Sequence, residues 1–163
     1  MNDELKRFYV TQDAERIVCN AFIISSPTIG EFRFVTDQSD DLDFFVDGET
    51  KTFTGCIASI PEQSILSSDD VDKGEVSFDR VGFEVVSEIR KLDYAPTFEA
   101  VTVRFLTYLE GQQDALYDYS AYMSNFTAGV RQVKIELTTE NLEKQTKVNK
   151  IFDPAIYVGL QGL

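Results

Sequence analysis

Residues 75–108, EVSFDRVGFEVVSEIRKLDYAPTFEAVTVRFLTY, decide how the fold is read, because the spacing of apolar residues changes twice within them. Residues 75–80 alternate as a strand does. From Phe83 the period becomes helical: Val85, Ile89 and Leu92 fall at i, i+4 and i+7 on one stripe, with Glu84, Ser87, Glu88 and Lys91 off it. A helix with so narrow an apolar stripe is expected to lie over a core as a lid. Pro96 marks a turn at residues 94–96. Residues 98–108 then return to period two, with Val101, Val103, Phe105 and Leu109 alternating with Arg104 and its neighbours. Strand, helix and strand without a catalytic motif read as a scaffold.

Downstream, residues 115–125 are expected to pair with 101–109 across a turn at 111–114. A further strand at 130–138 follows a turn at 127–129, where Gly129 is free to take a positive φ. Val133, Ile135 and Leu137 alternate there with Gln132, Lys134 and Glu136, the pattern expected of a sandwich edge. Upstream, residues 16–25 place Ile17, Cys19, Ala21 and Ile23 on one strand face, and Ser26-Pro27 ends the strand. In residues 30–37, Phe32 and Phe34 alternate with Glu31, Arg33 and Val35. Residues 42–46 and 50–60 flank Asp47-Gly48, a strong hairpin signal, with Phe53 and Ile57 expected inward. The fold class is mainly β with one or two short helices: a β-sandwich or β-barrel with a single inserted helix. Residues 13–150 form that domain. Residues 1–12 make an N-terminal helix or arm with Leu5, Phe8 and Tyr9 on one stripe, and residues 151–163 an apolar C-terminal arm.

Composition narrows the function. The 163 residues include 43% apolar residues, among them 13 Phe and 7 Tyr, enough for a core. Net charge is −13, which argues against binding a phosphate backbone, since that requires clustered Lys and Arg. With no histidine, Ser-His-Asp and Cys-His catalysis are excluded. Cys19 and Cys56 lack CxxC partners and read as buried free thiols, a single cross-strand disulfide being the other reading. An EF-hand loop laid on Asp37 puts Leu42 where glycine is needed and Gly48 where the bidentate glutamate belongs, so the acidic stretches read as solvated loops. Tyr117 and Tyr119 share a strand face opposite Tyr122 and read as packing. Neither a metal nor a cofactor is expected, and the chain is not expected to be an enzyme. No apolar run is long enough to cross a membrane as a helix, so synthesis in the cytoplasm is expected.

The order of segments resembles a family of bacteriophage tail proteins related to the N-terminal part of the lambda minor tail protein L. The resemblance runs through DELKRFYV, AFIISSPTIGEFRFVTD, DGETKTFTGCIASIP, GEVSFDRVGFEVVSEIRKL, AVTVRFLTYLE, ELTTENLEKQTK and the closing FDPAIYVGLQGL. Arg80-Val81 departs from the family at its usual Asn, and Val158 replaces a Pro in the family's Tyr-Pro-Gly-Leu ending. Protein L's cysteine-rich C-terminal domain has no counterpart in this sequence.

The resemblance implies a structural virion component of a tail tip or baseplate, with a fold of the tail-tube or distal-tail type. It implies a homo-oligomeric ring, trimer or hexamer, joining the tail-tube protein to the hub protein and host-recognition apparatus. DNA would pass through an acidic lumen without specific binding. The arms supply the expected assembly surfaces: Leu5, Phe8 and Tyr9 at one end, and Phe152, Ile156, Tyr157, Leu160 and Leu163 at the other. The alternatives are a β-sandwich module that binds carbohydrate or a host surface, and a small hydrolase with paired carboxylates.

Overall fold

A computed structural model describes residues 17–61, 72–79, 83–92, 94, 98–110, 112–129 and 131–140. In chain order the strands are β1 (Val18–Ser26), β2 (Gly30–Thr36), β3 (Leu42–Val46), β4 (Glu49–Cys56), β5 (Ala58–Ser59) and β6 (Asp72–Phe78). A helix, α1 (Phe83–Leu92), precedes β7 (Thr102–Leu109), β8 (Tyr117–Ala128) and β9 (Val133–Thr138). The protein is mainly β with one short helix among the described residues. All nine strands belong to one mixed sheet in the order β3-β4-β2-β1-β7-β8-β9-β6-β5.

β4, next to one margin of that sheet, and β5, at the other, are one piece of chain. β4 pairs in parallel with β2 at Phe34–Thr36, and β5, one residue beyond β4, pairs antiparallel with β6. The ladder therefore rolls round and returns on itself through Ile57, with β3 outside the roll. Backbone bonds reinforce this seam: Asp37 N donates to Cys56 O (2.9 Å) and Asp79 N to Ile57 O (3.1 Å). Inside the roll, Phe22, Phe34 and Phe78 come from three different strands, with ring centroids 5.3–5.6 Å apart. Val103, Phe105, Ala121, Val133, Ile135 and Leu137 join them. Tilted and edge-on aromatic pairs suit the ring quadrupole better than a face-to-face sandwich.

The helix begins at Phe83 and ends at Leu92, as its stripe predicts. Val85 and Ile89 are buried and belong to the inner cluster, with Leu92 packed against it, while Glu84, Ser87 and Lys91 are exposed. Val86, off the expected stripe, is buried too. Glu84 in the first turn and Arg90 and Lys91 in the last match the helix dipole.

Several expectations are corrected. β9 is not an edge; it lies between β8 and β6. Its alternation arises because a rolled sheet, like an edge, keeps one face in solvent. Gly129 does not take a positive φ: the glycines that do, among the described residues, are Gly30, Gly48 and Gly74. Its N–H instead closes the turn onto Gln132 O (2.9 Å). Ile57 is 73% exposed rather than inward. It shares a face with Phe53, but the β3 cover ends where Leu42 meets Phe53, leaving Ile57 beyond it. β7 starts at Thr102, and Phe98 is exposed. Cys19 and Cys56 are unpaired, on strands separated by β2. Lastly, β1, β2 and β7 are buried on both faces, not one, because the β3–β4 hairpin covers them outside. Among the described residues no helix is long and apolar enough to cross a membrane.

Candidate assembly surface

All the arm residues expected to form assembly surfaces, Leu5, Phe8, Tyr9, Phe152, Ile156, Tyr157, Leu160 and Leu163, lie outside the described residues. The surface that the described residues present is the outer layer made by the β3–β4 hairpin.

The hairpin forms because Asp47 and Gly48 both adopt left-handed backbone (φ 53° and 85°), the pair of positive angles a type I′ turn requires. The tight turn sets the register Val46↔Glu49 through Leu42↔Phe53. Leu42, Phe44 and Val46 consequently face one way, toward the outer cluster of Ala21, Ile23, Val35, Phe53, Leu106 and Tyr108. Phe44 stacks on Tyr108 (centroids 4.4 Å, planes 19° apart) and meets Phe53 edge-on at 5.3 Å. Tyr108 Oη donates to Phe45 O (3.1 Å), and burial pushes its phenol up to about 12. It stays a neutral donor at any physiological pH.

Arg104 fastens the tip. Its Nη1 and Nη2 donate to Asp47 Oδ2 (2.8 Å) and Oδ1 (3.1 Å), and its Nε and Nη2 to Asp118 Oδ1 (2.9 Å) and Oδ2 (2.7 Å). One planar guanidinium thus holds two carboxylates bidentately and ties the hairpin to β7 and β8. The hydrogen bonds Arg104 donates to Asp118 and Asp47 raise its pKa, and the bond to Asp47 lowers that of Asp47.

The acidic loop between β2 and β3 is fitted closely onto β4. A Cβ at Gly55 would lie 2.7 Å from the carbonyl oxygens of both Gln38 and Asp40, and Gly55 N donates to Asp41 Oδ1 (3.2 Å). Asp43 Oδ1 accepts from Thr52 Oγ1 across the hairpin (2.6 Å). Among the described residues no group of three or more Cys, Asp or Glu is gathered closely enough to hold a metal ion.

Tyr117 and Tyr119 do share a face, the inner one, with rings stacked at 6.5 Å. The Arg104 clamp was not foreseen from sequence. Its only signal was a basic residue in an otherwise apolar and neutral strand, and its partners stand 57 and 14 positions away. Apolar side chains also reach solvent away from the hairpin: Ile17 (57% exposed), Tyr94 (90%) and Phe98 (58%). No family model matches the chain, and neither does any curated protein.

Proposed function

We propose that this chain is a structural subunit of a bacteriophage tail tip or baseplate, part of a ring that joins the tail tube to the hub and host-recognition apparatus. The observation that supports the reading is architectural: a mainly β sheet rolled upon itself with, among the described residues, one helix packed against its inner cluster, in keeping with the mainly β, one-helix class expected under the resemblance. The excess of acid supports it, because a lumen lined with carboxylates repels phosphate and lets DNA pass. Function in this reading is assembly, with the apolar arms and exposed sheet positions contacting neighbouring subunits. Size-exclusion chromatography with light scattering, followed by negative-stain imaging, tests it: rings of three or six copies, or co-purification with tail-tube protein, are expected. Removing residues 151–163 should abolish the ring and leave a folded domain. A strictly monomeric full-length chain that ignores tail-tube protein would overturn the proposal.

Tyr94 and Phe98 favour a second reading, a module binding carbohydrate or a host surface, because exposed rings stack on sugar faces. Glycan-array binding lost in Tyr94→Ala and Phe98→Ala would select it over assembly.

A further inference from the structure

The sheet leaves one edge of β3 without a neighbour among the described residues. In a two-residue hairpin the residues flanking the turn exchange both backbone hydrogen bonds, as does every second pair beyond them. Val46↔Glu49, Phe44↔Lys51 and Leu42↔Phe53 are therefore the bonded pairs, and the backbone groups of Asp43 and Phe45 point away from β4. Of these, the Phe45 carbonyl accepts from Tyr108. Among the described residues the Phe45 N–H and both backbone groups of Asp43 have no strand partner and can serve as donors and acceptor for an added strand.

Charge says what kind of strand. From residue 37 to 49 the sequence holds Asp37, Asp40, Asp41, Asp43, Asp47 and Glu49 and no Lys or Arg. Arg104 neutralises Asp47, but the ion pairs of the described residues leave out Asp40, Asp41, Asp43 and Glu49. The side chains of Asp43 and Phe45 both stand exposed on the outward row. A second copy is the wrong occupant for this edge, since β3 against β3 would bring that acidic run onto itself, and like charges directly opposite destabilise a sheet.

We propose that the outer edge of β3 docks an extended, lysine- or arginine-bearing segment of a partner protein, which adds as a further strand. Backbone bonds at Asp43 and Phe45 hold it, its bases face the acidic run, and an apolar side chain covers Phe45. The inference does not depend on the tail reading; a chain of any other function would present the same edge.

The test titrates the full chain with an N-acetylated hexapeptide of alternating Lys and Val, followed by amide NMR, with an alternating Glu and Val peptide as control. Expected are shifts at the Asp43 and Phe45 amides, weakening with added salt, and at least about tenfold weaker binding in Asp43→Lys. Phe45→Pro removes the outward N–H while sparing the β4 ladder, and it too should lose binding; circular dichroism confirms that each variant is folded. Equal binding of the Glu–Val peptide, shifts confined to other strands, or no shifts up to about 1 mM peptide would overturn the proposal. So would concentration-dependent self-association abolished by Asp43→Lys, which would make the occupant a second copy.

Discussion

At the scale of single residues, the strongest constraint is steric. Gly55→Ala places a methyl group 2.7 Å from two backbone oxygens, which cannot swing aside as a side chain can. It should destabilise the fold by about 1–3 kcal/mol in a urea titration, the range for overpacking a tight site. Arg104→Ala should cost less, about 1 kcal/mol, since both its carboxylate partners are about half exposed and water screens them. Its pH signature is more telling. Asp47 is held below the ordinary aspartate value by its bond to Arg104, so the pair's stability is fully present above about pH 4. That contribution is lost as pH falls through the lowered value. Melting temperatures of wild type and Arg104→Ala should accordingly differ at pH 6 and draw together as pH falls below the ordinary aspartate range. Cys56 behaves oppositely: burial pushes its thiol up to about 12, so the fold loses stability as pH rises from about 9. In the native protein at neutral pH it should react with a thiol reagent far more slowly than after denaturation.

Among the elements, the hairpin and the helix do comparable jobs on opposite sides of the sheet. The helix contributes Val85, Val86 and Ile89 to the inner cluster, and the hairpin contributes Val46 and Phe53 to the outer one. Phe53→Ala should cost about 3–5 kcal/mol and Ile89→Ala about 2–5 kcal/mol, measured by denaturant midpoint at unchanged slope. The helix and its span are legible in the sequence, though not the burial of Val86, because a ten-residue stripe of period 3.6 between two period-two runs has no competing reading. The outer layer was not. Alternation in β1 and β2 suggested one buried face, whereas Ala21, Ile23 and Val35 are as buried as Phe22, Ile24 and Phe34. A strand covered on both sides loses the polar half of its pattern, and the sequence then no longer distinguishes inside from outside. β8 hides its pattern differently. A register shift between Met123 and Asn125 moves the inward set from Tyr119 and Ala121 to Phe126 and Ala128.

In the molecule as a whole, local signals settled most of what forms and little of what meets. Periodicity located strands, the helix and the Asp47-Gly48 turn, because side-chain direction and turn geometry depend on a few neighbouring residues. Composition sets the charge, and the absence of histidine removes histidine-based catalysis. Tertiary structure alone decided that the sheet closes through the β4–β5 seam, which requires residues 34–36 to meet 54–56 in parallel and residue 58 to meet 78. It alone placed β9 between two strands, brought Arg104 to Asp47, stranded Ile57 beyond its cover and left the outer side of β3 without a neighbour among the described residues. Each of these depends on contacts between residues distant in sequence, whose pairing is chosen by the packing of the entire chain and not by the identity of either partner.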